Sequence, residues 1–304
     1  FLDVVRKLLN NISSKGIYDH LGGGISRYTV DEKWIVPHFE KMLYDNILFV
    51  RTVNNYLVNK QDKKLNDKLI QTINFINNEF LNDKNLLGSA YDADSEGIEG
   101  KYYVWSNEEI KGLLGNDIDI FKKKYLVTKE GNFEGSNILI ENDNYELNEN
   151  DLKIIYKCEK KLLNERKKRV KPFFDDKVQI DLNCYWLYSN LYASLVLDDE
   201  NLYRATIKLS KGLISKLENN IYHCYEKSSN KVNVFLDDYA YLSLLLITLY
   251  ELENDDKSLE LCKKIMLDTW ELFFNDEYNL LQKNITKNND LFINPFKAAE
   301  ISTL

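Results

Sequence analysis

Apolar residues recur at helical spacing along almost the whole of this 304-residue chain, in stretches near residues 1–14, 38–59, 63–81, 106–125, 149–169, 177–198, 200–218, 238–253 and 255–274. Several of these come in consecutive pairs that repeat one scheme. EKMLYDNILFVRTVNNYL runs into KQDKKLNDKLIQTINFINNEFL, DDKVQIDLNCYWLYSNLYASLVL into DDENLYRATIKLSKGLISKL, and LDDYAYLSLLLITLYEL into ENDDKSLELCKKIMLDTWELFF. A link of a few residues makes each pair an antiparallel hairpin, and a lone hairpin cannot bury both of its apolar faces. Stacking the hairpins buries them and gathers the long polar, aromatic loops at one end. The first helix of a pair is nearly continuous in apolar residues (Leu242, Leu244, Leu245, Leu246, Ile247, Leu249), whereas the second is striped. That contrast predicts an inner and an outer ring of helices.

The expected class is therefore all-α: an α/α toroid of the six-hairpin glycosidase-like kind, one domain over residues 1–304, with short β-hairpin loops at one end. Strand-like alternation is confined to runs such as Lys101–Trp105 and Asn137–Ile140. Six hairpins take about twelve helices, so the toroid is expected to be incomplete. The chain begins at Phe1 inside an amphipathic pattern and stops at Leu304 without a closing signal, which reads as truncation at both ends.

A hydrophobic content of 44% supplies a sizeable core, and a net charge of -8 excludes nucleic-acid and anionic-membrane partners, which need a basic face. No run approaches the roughly 18 apolar residues of a membrane span, and no signal peptide is expected. Cys158, Cys184, Cys224 and Cys262 are scattered, with no CxxC pair and no grouping with the three histidines. A reduced, cytoplasmic setting is expected, with neither a metal nor a cofactor.

Four constellations carry chemistry. In GGGISRYTVDEKWIVPHFEKMLYDN (22–46), three glycines precede Arg27, Tyr28, Asp31, Trp34 and His38. A helix starting near Pro37 would put His38, Lys41, Met42, Asp45 and Phe49 on one face. His38 then reads as an acid/base oriented or polarised by Asp45, or as part of a buried network tying loop to helix. In SAYDADSEGIEGKYYVW (89–105), Asp92, Asp94, Glu96 and Gly97 imitate a calcium loop, but Glu99 at the eighth position and Tyr103 at the twelfth exclude an EF-hand. Carboxylates beside Tyr91, Tyr102, Tyr103 and Trp105 suit a sugar, or form a polar turn anchored by aromatics. A carboxylate pair there could also serve glycosidic chemistry. Asp175–Asp176 and Asp237–Asp238 read first as helix N-caps. The basic run KKLLNERKKRVK (160–171) reads as a solvated helix end.

The first of these segments resembles a known family, the thioredoxin-domain-containing proteins of YyaL and spermatogenesis-associated type. The resemblance continues in order at SAYDADSEGIEGKYYVW, VTKEGNFEGSNIL (127–139), DDKV (175–178) and FLDDYAYL (235–242), and so covers essentially the whole chain. It implies an N-terminal thioredoxin-like partner domain ahead of a toroid similar to N-acylglucosamine 2-epimerases, and a sugar or sugar derivative as ligand. Positions matching the family motifs are Arg27, Tyr28, His38, Glu40, Lys41, Asp45, Asp92, Asp94, Glu96, Asp176, Lys177, Asn183, Asp237, Asp238 and Tyr239. The expected catalytic set is His38, Asp45, Asp94 and Asp238, with Arg27, Tyr28, Trp34, Lys41, Asp92, Glu96, Tyr102, Trp105, Asp176, Lys177, Asn183, Asp237 and Tyr239 binding substrate. The chain departs from the family where Ser26 replaces a histidine, where Tyr91 replaces a glutamate, and where Gln179–Cys184 keeps only Asn183 of a Trp–Asn–Gly run. Two readings follow: a carbohydrate-binding or sugar-modifying protein of epimerase, isomerase or glycosidase kind with its site at the loop end, or a non-catalytic toroid that binds a ligand or protein alongside the thioredoxin-like domain.

Overall fold

The computed structural model describes residues 2–217, 221–225 and 234–285. Helices form where the apolar spacing puts them: α1 (Leu2–Ser14), α2 (Leu43–Asn59), α3 (Lys63–Phe75), α4 (Asn107–Leu114), α5 (Ile118–Lys124), α6 (Glu149–Arg166), α7 (Ile180–Val196), α8 (Glu200–Leu217), α9 (Leu236–Glu253) and α10 (Asp256–Phe273). The mostly helical, hairpin-built class expected from the sequence is borne out. Local chemistry sets several starts. Asp62 caps α3 by accepting from Leu65 N at 3.1 Å. Ser106 opens α4 with a capping box, its hydroxyl accepting from Glu109 N while Glu109 accepts from Ser106 N. Asn148 and Asp151 do the same for α6.

By their contacts the residues fall into two compact units, Phe1–Leu81 with Ser89–Asp175, and Asn82–Gly88 with Asp176–Leu304. In the first, α2 packs on α3, and α1 on both. A separate cluster of α4, α5 and α6 closes over Trp105, Ile110, Phe121, Tyr125, Ile155 and Leu162. The stretch 106–125, expected as one helix, is broken because Gly115 adopts φ 57 at the end of α4. The last turn of 63–81 widens into a π turn at Ile76–Phe80. Strands β1 (Lys41–Met42), β2 (Ala90–Tyr91) and β5 (Phe174–Asp175) make a small antiparallel sheet in which Lys41 faces Tyr91 and Tyr91 faces Phe174. Strands β3 (Asp94–Ser95) and β4 (Ile98–Glu99) form a hairpin. The alternating run at 101–105 is no strand: residues 101–103 turn, and only Trp105 pairs with Asn137.

In the second unit α7 packs on α8 and on α9, and α9 on α10. Helix α7 buries Leu182, Cys184, Trp186, Leu187, Leu191 and Ala193, spread nearly all round it, whereas α8 buries the stripe Thr206, Ile207, Ser210, Leu213 and Leu217. This is the contrast read from the apolar pattern. Strand β6 (Val178–Gln179) pairs with β7 (Cys224–Tyr225), and β8 (Phe274–Asn275) with β9 (Leu280–Leu281). Asp175 and Asp176 are not an N-cap, since Asp175 ends β5 and α7 begins only at Ile180. The four cysteines are buried thiols. No helix among the described residues is long and apolar enough to cross a membrane.

Candidate functional site

The loop after α1 folds back on Asp19. Its carboxylate accepts from Leu21 N at 3.1 Å and Gly22 N at 3.0 Å, while Asp19 N donates to Gly24 O and Gly23 N to Asp19 O. Gly22 leaves room for the ion pair beside it, because a Cβ there would lie 2.2 Å from Arg166 Nη2 and 2.9 Å from Asp19 Oδ2. Into this space come two cations. Arg166, the last residue of α6, meets Asp19 in a two-pronged bond (Nη1–Oδ1 2.8 Å, Nη2–Oδ2 2.9 Å), and Lys41 Nζ on β1 lies 2.7 Å from Oδ2. Side-chain exposure is 8% for Asp19, 5% for Arg166 and 2% for Lys41. Burial pushes the Asp19 carboxyl up, but Arg166 and Lys41 outweigh it and hold the group well below the usual carboxylate range. Burial brings Lys41 down, against the pull of Asp19.

Because directly opposed residues of antiparallel strands share a face, the sheet sets Lys41, Tyr91 and Phe174 side by side. Tyr91 stacks on Phe174 with centroids 4.6 Å apart, and its hydroxyl donates to Glu79 O in the π turn at 2.8 Å. Lys41 Nζ lies over the Phe75 ring (4.3 Å) and the Tyr103 ring (4.9 Å). Around them opens a cavity of about 300 Å³, walled by Asp19, Gly22, Lys41, Gln71, Asn74, Phe75, Asn78, Glu79, Tyr91, Tyr102, Tyr103, Leu163, Arg166, Lys167, Lys171 and Pro172. A π turn beside a cavity is a recurrent feature of functional sites, since the extra residue redirects side chains without breaking the helix.

Of the residues expected from the sequence, Lys41 and Tyr102 line this cavity, while His38, Arg27, Tyr28, Trp34, Asp45, Asp92, Asp94, Glu96 and Trp105 do not. The helix expected from Pro37 begins at Leu43 instead, and Pro37 bridges to Thr29. Asp31 holds the intervening loop by accepting from Lys33 N, Ile35 N and Val36 N, and Trp34 sits in its tight turn at φ 62. His38 therefore lies in the loop before a turn at Phe39 (φ 46) and Lys41 on β1, neither on a helical face with Asp45. His38 stacks on Tyr28 at 4.8 Å and places Nδ1 3.0 Å from Glu99 Oε1, in an exposed arrangement. Arg27 pairs with Glu40 at 3.3 Å. Asp94 and Glu96 are exposed on the β3–β4 hairpin, with Asp92 exposed just ahead of it, and its turn takes φ 53 at Glu96 and φ 74 at Gly97. Trp105 is fully buried beneath the Arg169 guanidinium, 4.0 Å above its ring.

Asp45, in the first turn of α2, has a buried Oδ2 without a hydrogen-bond donor. Burial raises its pKa to about 7, with Arg27 opposing. Since the folded value lies above the unfolded 3.8, the group favours folding below about pH 4, and that contribution is lost as pH rises through about 7. Asp45→Asn is expected to leave stability at pH 4 unchanged and to raise it by about 2 kcal/mol at pH 8, as read by urea unfolding at both pH values.

In the second unit, Asp176 and Lys177 are exposed before α7. Asn183 is buried and clamps Leu87 through both its N–H (2.8 Å) and its carbonyl (3.1 Å). Tyr239 packs edge-on against Phe273, and Asp237 lies 3.6 Å from Lys283. Asp238 is fully buried at the start of α9, accepting from Phe235 N (2.8 Å), Asp181 N (3.2 Å) and His223 Nδ1 (3.0 Å). Contrary to the expectation of no metal-like grouping, the ligand atoms of Asp181, His223 and Asp238 lie within 4.8 Å of one another. Burial and then the Asp238 charge raise the Asp181 carboxyl to about 6; burial lowers His223, but its bond to Asp238 prevails and raises it. With Asp238 already accepting three donors, the group reads as a clamp on the start of α9 more than as a cation seat.

Sequence reasoning passed over His20, which is buried with Nδ1 3.1 Å from Lys68 Nζ and 3.6 Å from Glu141 Oε1. Burial brings Lys68 down to about 8, with Glu141 opposing. It also passed over Asp19 and misplaced Arg166, which is buried rather than part of a solvated helix end.

No protein-family model matches the chain. Spermatogenesis-associated protein 20 of Homo sapiens is 26% identical over 314 residues, covering 88% of this chain and 40% of its own length. An uncharacterised protein of Caenorhabditis elegans is 26% identical over 303 residues, covering 84% of this chain and 41% of its own. The resemblance read from the motifs is thus borne out by relatives bearing the spermatogenesis-associated name. The chain spans about two-fifths of the length of the curated relatives it matches. A solved sugar epimerase from a ruminal bacterium is 15% identical, covering 94% of this chain and 74% of its own, with a TM-score of 0.40.

Proposed function

We propose that this chain binds a monosaccharide-sized polyol in the cavity of its first unit, at the loop end of a toroid of helical hairpins. The observation that carries the reading is the make-up of the cavity walls. Tyr91, Tyr102 and Tyr103 line it with aromatic rings, the surface that packs on pyranose C–H groups, next to an ionic cluster of Asp19, Lys41 and Arg166 held rigidly by burial. A volume of about 300 Å³ is at the small end of ligand pockets and suits one sugar ring.

Sugar-modifying chemistry of epimerase, isomerase or glycosidase kind is the fuller form of this proposal. One observation favours its non-catalytic form, a binding module working beside a thioredoxin-like domain. Both carboxylates of the cavity are tied to cations, Asp19 to Arg166 and Lys41, and Glu79 to Lys171 at 2.7 Å. Asp19, held well below the usual carboxylate range, is a poor general acid, which needs a pKa near the working pH. Tyr91, moreover, stands where the family carries a glutamate. A thermal-shift screen of the full-length protein against neutral and charged monosaccharides tests the binding reading. Stabilisation that disappears in Tyr102→Ala supports it, and no stabilisation by any sugar of the panel refutes it.

A further inference from the structure

We infer that the ligand of this cavity is an anionic sugar, a monosaccharide-sized polyol carrying one carboxylate or one phosphate group. The inference rests on the sugar reading of the same cavity and adds the charge of its ligand. Two cations, Lys41 and Arg166, share the single carboxylate of Asp19, and all three side chains are at least nine-tenths buried. Glu79 is already neutralised by Lys171, and Lys167 adds a further positive charge at the exposed rim. No acidic side chain of the wall remains to balance the surplus.

An uncompensated positive charge in a poorly solvated pocket is costly, and an incoming anion relieves that cost. The donors for one are present. Asp19 takes one N–H from each Arg166 Nη, and the Arg166 Nε–H is buried with no acceptor. Lys41 gives two of its three N–H groups to Asp19 and Gly23 O. A guanidinium beside an ammonium is the usual recognition chemistry for carboxylate and phosphate oxygens. The basic run 160–171 acquires a role in this way: Arg166, Lys167 and Lys171 form one wall of the cavity.

The test is isothermal titration of the full-length protein with glucose, mannose, glucuronate, glucose 6-phosphate and inorganic phosphate. At least one of the two anionic sugars is expected to bind ~10-fold or more tightly than either neutral sugar, a preference that shrinks at high salt as charge is screened. Which of the two is preferred identifies the anionic group. Lys171→Ala, at an exposed position that leaves Glu79 unbalanced, is expected to reduce the preference several-fold while the melting temperature holds. Neutral sugars binding as tightly as the anionic ones would overturn the inference and leave the sugar reading standing. Inorganic phosphate binding as tightly as glucose 6-phosphate would overturn it too, by leaving an anion site without sugar recognition. Failure of every sugar to bind would overturn both.

Discussion

Asp19→Ala is expected to destabilise the first unit by about 3–5 kcal/mol, the largest effect of any single substitution considered for this chain. The loss of the carboxylate leaves Lys41 and Arg166 buried together with no counter-charge, and removing one partner of a buried pair costs far more than the pair itself contributes. The same change frees Leu21 N and Gly22 N, whose hydrogen bonds fold the glycine loop back on itself. Thermal or urea unfolding measures the loss. A drop below about 1 kcal/mol would mean that the triad is solvated and contributes as a surface pair does.

Gly24→Ala is expected to cost on the order of 3 kcal/mol for a different reason. Gly24 adopts φ +79, where an L side chain is strained, and an added Cβ would lie 2.4 Å from Phe75 Cδ1 and 2.8 Å from Asn46 Oδ1. Asn46 cannot give way without loss, since its amide holds Ile25 N at 2.8 Å, Ile25 O at 3.1 Å and Met42 O at 2.8 Å. Phe75 forms part of the cavity wall, so the variant is also expected to weaken ligand binding in whatever fraction stays folded. A paired Gly112→Ala control, at a helical position where an added Cβ meets nothing within 4 Å, is expected to be neutral or slightly stabilising.

The helices were legible in the sequence because each buries a stripe or a full surround of apolar side chains, and that pattern is local. The helices expected to start near 63, 106 and 149 begin at Lys63, Asn107 and Glu149, capped by Asp62, Ser106 and Asn148, which the apolar pattern alone did not single out. Pro37 misled the reading. Its position ahead of an apolar run looks like a helix start, yet the chain turns at Phe39 (φ 46), where Glu40 N donates to His38 O, and then runs as strand over Lys41–Met42, so that Lys41 pairs with Tyr91 on β2. The shift of the start to Leu43 takes His38 off the helix and into an exposed stack with Tyr28.

The ionic cluster was half visible. Lys41 lay within the segment that drew attention first, but its partners are an aspartate just ahead of that segment and an arginine 147 residues beyond the aspartate. No periodicity connects residues so far apart; only the tertiary fold does. Arg166 was further hidden by its neighbours, since five of the six residues 165–170 are charged and a basic run ordinarily lies in water. Tyr91 was legible as one of the aromatics beside the carboxylates of 92–96 and as a departure from the family; only its place in the sheet shows it as a wall of the cavity.

The claim that the tyrosine-walled cavity of the first unit holds a sugar is tested most directly by titrating a panel of neutral and anionic monosaccharides into the wild-type protein and its Tyr102→Ala variant. Saturable one-site binding of at least one sugar, weakened ~10-fold or more by Tyr102→Ala in the fraction that stays folded, is the predicted result. Binding that is indifferent to Tyr102, or no heat of binding from any sugar, would contradict it.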